Sequence, residues 1–215
     1  MILGIYCAGS LGKELCDIAM RVNVTQDKWE KIIFIDEVTE ETSWYGLEVY
    51  HLDEFKKRDE EIEFIIANGT PVDRKKIWHI LKDAGMRLTN LIDPSSIISP
   101  TAKLGEGIII TPFSTISSDV VLCDNVLVQS YVRVGHDIHV GKNSVLSSNV
   151  GIGGKTQVGC ETYIGMGAVI RDGLIIGENV IVGMGAVVHT NIENGVTVVG
   201  LPARVSRKNE TGKIF

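Results

Sequence analysis

The chain has 215 residues, enough for one large domain or two small ones. Its 21 Lys and Arg against 27 Asp and Glu give a net charge of −6, which argues against nucleic acid or an anionic membrane surface as the main partner. No apolar stretch approaches the ~20 residues of a spanning helix, and Met1-Ile2-Leu3-Gly4 lacks the charged start of a secretion signal. The four cysteines (Cys7, Cys16, Cys123, Cys160) are scattered without a C-x-x-C pair, which fits a reducing compartment, so a soluble cytoplasmic protein is expected.

Residues 1–92 read as a small α/β unit. The apolar run Ile2–Cys7 predicts a buried strand, and Leu15, Ile18, Ala19 and Val22 recur at helical spacing between Gly12 and Val22. Lys31–Ile35 and Glu63–Ala67 predict two more strands, the second followed by a helix from Pro71 to Ala84. Strands alternating with helices imply a parallel sheet, here a Rossmann-like half-domain.

From residue 93 the period changes. Every sixth residue from Ile98 to Val188 is Ile, Leu or Val, without insertion. Glycine recurs one place later (Gly105, Gly135, Gly141, Gly153, Gly159), and small or β-branched residues four places later (Ala102, Ser114, Val120, Thr156). A 3.6-residue helix would scatter such a set around its circumference. The period predicts instead a three-sided parallel β-helix over 93–206, with one aliphatic side chain of each hexapeptide inward, glycine-tolerant corners and 18 residues per coil. Residues 207–215 read as a polar, loosely ordered tail.

Two places carry candidate chemistry. The turn Ala8-Gly9-Ser10-Leu11-Gly12-Lys13 opens the first helix, where glycines and free amides suit a phosphate, and Asp36 ends the second strand, where a carboxylate can meet a ribose hydroxyl. A dinucleotide fingerprint would need glycine where Cys7 stands; the competing interpretation is a tight packing turn and a solvated acidic loop. In the prism, His136 sits at a corner, followed by Asp137, with Gly154 one coil further on. A base beside bare backbone is what acyl transfer to an amine or hydroxyl needs; the alternative is a corner histidine that is merely tolerated. A shared metal ion, as in zinc lyases of this architecture, is disfavoured, because His189 lies three coils from His136 and His139.

The turn Ala8–Glu14, the end Ile35-Asp36, the joint Ile92-Asp93-Pro94-Ser95, the corner Val134-Gly135-His136-Asp137, the coils Ile164–Val169 and Val182–Val188 and the close Val199–Arg204 together resemble one group along nearly the whole chain. It is the sialic acid O-acetyltransferase and UDP-amino-sugar N-acetyltransferase family (NeuD/PglD type) of the hexapeptide-repeat acyltransferases. The resemblance implies a left-handed prism and a homotrimer with acetyl-CoA in the groove between neighbouring prisms. It also implies an amino-sugar nucleotide acceptor for glycan biosynthesis, held by the α/β unit, with no metal. His136 then resembles the general base, Asp137 its acidic companion and Gly154 the oxyanion donor. Gly154, Gly165, Met166, Gly167, Ala168, Gly183, Met184, Gly185 and Arg204 resemble the coenzyme path, while Gly9, Ser10, Leu11, Gly12, Asp36 and Gln129 resemble the acceptor pocket. Leu11 and Val145 depart from the pattern, each standing where the family commonly has histidine. A hydroxyl acceptor of sialic-acid type, or a nucleotide-sugar-binding homologue without turnover, are the alternative functions.

Overall fold

The apolar runs of the first 92 residues form a six-stranded sheet in a computed structural model that describes residues 1–55 and 60–214. The elements are β1 (Ile2–Tyr6), α1 (Ser10–Gln26), β2 (Lys31–Ile35), β3 (Ser43–Trp44), β4 (Leu47–Tyr50), α2 (Leu52–Phe55), β5 (Ile62–Ile66), α3 (Pro71–Asp83) and β6 (Arg87–Leu88). Strand order is β3-β4-β2-β1-β5-β6, parallel except for the β3–β4 hairpin. The three long strands and both long helices lie where the periodicity places them. The hairpin and α2 went unread, since two- to four-residue elements carry no period. The α3 face of the sheet packs through Ile33, Ile35, Phe64, Ile66, Ile77 and Leu81. On the other face Leu15, Ile18, Ala19 and Val22 of α1 bury Leu3, Ile5 and Ile65.

From Leu91 onward, two-residue strands recur every six residues and stack into three parallel sheets. Ile98, Ile116, Val134, Ile152, Ile170 and Val188 form one interior ladder at the expected 18-residue register. The first face is built on Leu91–Ile92, Ile109–Ile110, Leu127–Val128, Val145–Leu146, Tyr163–Ile164 and Ile181–Val182. The second runs from Ile97–Ile98 to Val187–Val188, and the third from Lys103–Leu104 to Ile175–Ile176. Outward residues Leu91, Ile109, Leu127 and Val145 of the first face are buried in one cluster with α1, which welds the α/β unit to the prism.

Four sequence expectations need correction. Each hexapeptide buries two residues rather than one: the second series, including Val120, Val126, Val132, Ile138 and Val150, is also within the core. Where this series is polar, its hydroxyls are satisfied by carbonyls of the following corner, as for Ser114 on Gln129 (2.9 Å) and Thr162 on Gly177 (2.8 Å). The recurrent glycines are not the corner residues. A Cβ on Gly135, Gly141 or Gly159 would lie 2.8, 2.5 and 2.5 Å from a backbone nitrogen of the next coil, so these positions mark close approach of coils. The left-handed corner residue stands two places later and is most often Asn or Asp, as in Asp119, Asn125, Asp137, Asn143 and Asn149, with glycine at Gly107, Gly167, Gly173 and Gly185.

The prism also begins ahead of the Asp93–Ser96 joint, because Leu91–Ile92 already pairs with Ile109–Ile110. Finally, the loose tail is overturned. Arg204–Lys208 is a strand antiparallel to Val196–Val199, and Asn209 is buried and clasped to Asn179 by side-chain bonds of 2.9 Å to its carbonyl and amide oxygens. Gly212 then packs against Val72 at the start of α3.

Candidate functional site at two edges of the prism

His136 occupies the edge between the second and third faces, after strand Arg133–Val134 and before His139–Val140. Its Nδ1 meets Asp137 Oδ2 at 2.7 Å, which orients the ring and leaves Nε2 as the free nitrogen. One coil on, a Cβ built on Gly154 would stand 2.7 Å from Nε2 and 2.8 Å from Cε1. The imidazole therefore lies flat against the bare Gly154 backbone, and only glycine leaves room for it. The Gly154 N–H makes no hydrogen bond among the described residues, so a base and a free backbone donor share one exposed edge. His136 is 58% exposed, open to a molecule arriving at that edge. Sequence and structure agree on the grouping of His136, Asp137 and Gly154.

The residues assigned to the coenzyme are not beside His136 in the same chain. Gly165–Ala168 and Gly183–Ala186 turn the corner between the first and second faces, so the breadth of the second face separates them from His136. Gln129 belongs to this other edge too and starts a column at 18-residue spacing, Gln129–Ser147–Gly165–Gly183. Ser147 Oγ donates to Gln129 Oε1 at 2.7 Å. Beside the column lies a cavity of about 410 Å³ lined by Tyr163, Met166, Met184 and Val199, with Arg207 and Ile214 closing it. Gly167 and Gly185 take the left-handed conformation (φ +68 and +65) with nothing within 4 Å of their Cβ positions, which leaves the rim clear. Arg204 lies outside this cavity, in a separate one with His189 and Glu193. Arg207 and Ile214 escaped the sequence argument because nothing in a polar tail announces that it folds back. Ser147 was legible from its spacing to Gln129.

At the carboxyl edge of the α/β sheet, the turn Ala8–Lys13 joins β1 to α1. Cys7, standing where the fingerprint has glycine, nevertheless adopts φ +85, the glycine conformation. Gly12 is a packing residue, since a Cβ there would meet Cys7 O at 2.6 Å and the Phe34 ring at 3.0 Å. Gly9 has nothing within 4 Å, and with exposed Ser10 it leaves the N-terminus of α1 open. Asp36 is first a clamp: Oδ2 accepts from Ala8 N–H (2.8 Å), and Oδ1 from Val38 (2.8 Å) and Thr39 (3.1 Å). Burial pushes its carboxyl up, but those three donors outweigh it and hold the pKa below the usual value. Leu11 packs into the cluster that contains Val145, so both departures from the family pattern sit in one apolar contact region.

The other histidines stand apart. His139 Nε2 lies 3.4 Å from Cys123 Sγ, and His51 faces Glu37 at 3.8 Å. Among the described residues no three His, Cys, Asp or Glu side chains converge as metal ligands, and no helix is long and apolar enough to cross a membrane. Burial pushes the thiols of Cys7 and Cys16 up to about 11, far from a thiolate nucleophile at neutral pH.

Residues 119–154 and 155–190 match the family described as bacterial transferase hexapeptide (six repeats). Among solved structures, the acetyltransferase domain of PglB from Neisseria gonorrhoeae FA1090 in complex with acetyl coenzyme A superposes with a TM-score of 0.88 at 29% identity, over 95% of this chain and 98% of that one. WeeI from Acinetobacter baumannii AYE gives 0.80 at 30% identity, over 95% and 99%. A His-to-Asn variant of perosamine N-acetyltransferase from Caulobacter crescentus, in complex with CoA and GDP-perosamine, gives 0.88 at 25% identity, over 96% and 97%. Comparison with curated proteins gives no match. Fold and site define a β-prism transferase with an appended α/β unit. Within that class, the chain belongs to the bacterial hexapeptide transferase family.

Proposed function

We propose that the protein transfers the acetyl group of acetyl-CoA to the amino group of a nucleotide-linked amino sugar. The carrying observation is the imidazole of His136, fixed by Asp137 at 2.7 Å and laid against the unencumbered Gly154 backbone. In this reading Nε2 takes the proton of the acceptor amine as its nitrogen attacks the thioester carbonyl. The Gly154 N–H donates to the oxyanion that develops. When the carbon–sulfur bond breaks, the imidazolium returns its proton to the departing sulfur, so the histidine ends neutral and no bond to the enzyme forms. The complexes of the similar structures with acetyl-CoA, CoA and GDP-perosamine support both substrates.

The same reading calls for a homotrimer. His136 and the Gly165–Gly183 column face different edges of one prism, and only a neighbouring copy brings one edge against the other. Support comes from exposed apolar side chains on and beside the second face, including Ile97, Phe113, Tyr131, Met166, Val169 and Met184. Gly9, Ser10, Leu11, Gly12, Asp36 and Gln129 are proposed for the acceptor, and the column with Met166, Gly167, Ala168, Met184 and Gly185 for the coenzyme, whereas Arg204 lies away from that column. Thiol release from acetyl-CoA, measured against UDP-, GDP- and dTDP-amino sugars, tests the assignment. His136→Ala should lower kcat at least ~10²-fold, the scale of a general base; undiminished turnover would move the role elsewhere.

A further inference from the structure

Arg74, in the first turn of α3, is completely buried, and among the described residues no carboxylate pairs with it. Four of the five N–H donors of its guanidinium are taken instead by oxygens from two separate units. Nη1 donates to the carbonyls of Ile66 (2.7 Å), the last residue of β5, and Asn68 (2.9 Å), in the loop that follows. Nε and Nη2 donate to the carbonyl (3.1 Å) and side-chain oxygen (2.6 Å) of Asn125, a left-handed prism corner 51 residues away. Asn125 Nδ2 donates back to the Arg74 carbonyl (3.1 Å) and to Asn143 Oδ1 (2.8 Å), the same corner one coil further on.

A guanidinium stripped of water without a counter-charge is costly, and an apolar side chain would fill the volume more cheaply. Burial pushes this one down to about 9, a sign of how unwelcome the charge is there. What an arginine offers in return is a rigid planar fork of donors that fixes several acceptors relative to one another. The acceptors fixed here are not arbitrary. Ile66 and Asn68 flank Ala67, whose N–H donates to the Tyr6 carbonyl at 2.8 Å, next to Cys7, the strained first residue of the Cys7–Gly12 turn. Asn125 and Asn143 belong to the stacked coils that also carry His136. The exposed pairs Lys75–Glu161 and Lys82–Glu106 join the same units, but pairs of that kind hold little.

We propose that Arg74, acting through Asn125, is a positioning residue that fixes the acceptor crevice of the α/β unit at a set distance from the prism's transfer edge. The proposal rests on the acetyl-transfer reading above for its kinetic consequence, though not for the lock itself. Asn125→Gly is the discriminating variant, because glycine keeps the left-handed corner without strain while deleting the Oδ1 acceptor and the Nδ2 donor. Arg74→Met removes the fork itself, and should it fail to fold, Asn125→Gly still decides.

In Asn125→Gly, hydrogen exchange of amides 66–70 should accelerate at least ~10-fold. Acceptor turnover should fall ~10-fold or more, the scale of an ångström of misplacement, while the KM for acetyl-CoA stays within about twofold. A lowered Tm with unchanged exchange at 66–70 and unchanged acceptor kinetics would reduce Arg74 to a folding residue and overturn the proposal. If the parent protein acetylates none of the amino-sugar nucleotides, the acetyl-transfer reading fails, and the positioning role fails with it unless binding of UDP or GDP, followed calorimetrically, weakens in Asn125→Gly together with the faster exchange.

Discussion

Gly154→Ala probes the site with a single methyl group. The added Cβ would stand 2.7 Å from His136 Nε2 and 2.8 Å from Cε1, against the ~3.6 Å two such groups need, so the ring must retreat by about 1 Å. Gly154 does not have a positive φ, so alanine imposes no backbone strain there, and its N–H survives as an oxyanion donor. The perturbation therefore isolates the position of the imidazole. Misplacement by ~1 Å is worth up to ~10²-fold in rate, and loss of a general base 10²–10⁴-fold, so kcat should drop ~30- to 100-fold. The assay is thiol release from acetyl-CoA with the best amino-sugar nucleotide, alongside a melting curve in which Tm shifts little. A cycle with His136→Ala completes the test: the double variant should be no slower than His136→Ala alone. Turnover of Gly154→Ala within threefold of the parent, or additive losses in the cycle, would refute the geometry on which the mechanism stands.

Other expectations follow from individual contacts. Cys7 holds φ +85, so Cys7→Gly should leave Tm unchanged or raise it, whereas Cys7→Val, a β-branched residue in that conformation, should destabilise by ~2 kcal/mol or more in a denaturant titration. Asn209→Ala deletes the clasp to Asn179, and loss of these partly buried hydrogen bonds should lower stability by ~1–3 kcal/mol and speed proteolysis after Lys208 and Lys213. Asp93 is opposed by burial but held below 3.8 by Ser95 and Arg21. A depressed native pKa contributes stability above the unfolded value that is lost as pH falls through the native one. Stability should therefore decline below pH ~4, less steeply in Asp93→Asn.

Much of this protein was legible because its interior is periodic. Ile98 to Val188 repeats at six without a slip, and a period that strict admits few structures, so the coil length and the stacking of His136 beside Gly154 followed from counting. Counting could not tell which repeated residue does which job. Glycine looked like the corner because it usually is, yet many corners belong to Asn and Asp, while Gly135 and Gly141 serve the contact between coils. Tertiary partners decide the rest. The Arg207–Ile214 wall exists only because Asn209 finds Asn179, 30 residues back, and Arg74 finds its acceptors 51 residues ahead. No local pattern encodes such pairings.

The two departures from the family pattern bear on how the chemistry is divided. Leu11 opens the first turn of α1 and Val145 lies on the first face of the prism, 134 positions apart in sequence, yet both contribute to one apolar cluster between the two units. Val145 is 1% exposed. Histidine at either position would have to bring its ring nitrogens a polar partner or leave them unsatisfied at appreciable cost. The consequence is that no second imidazole reaches the prism edge from these positions. His139, paired with Cys123 on the third face, does not take their place. In the proposed mechanism proton transfer then rests with His136, and the family's two further imidazoles are replaced by hydrocarbon at Leu11 and Val145.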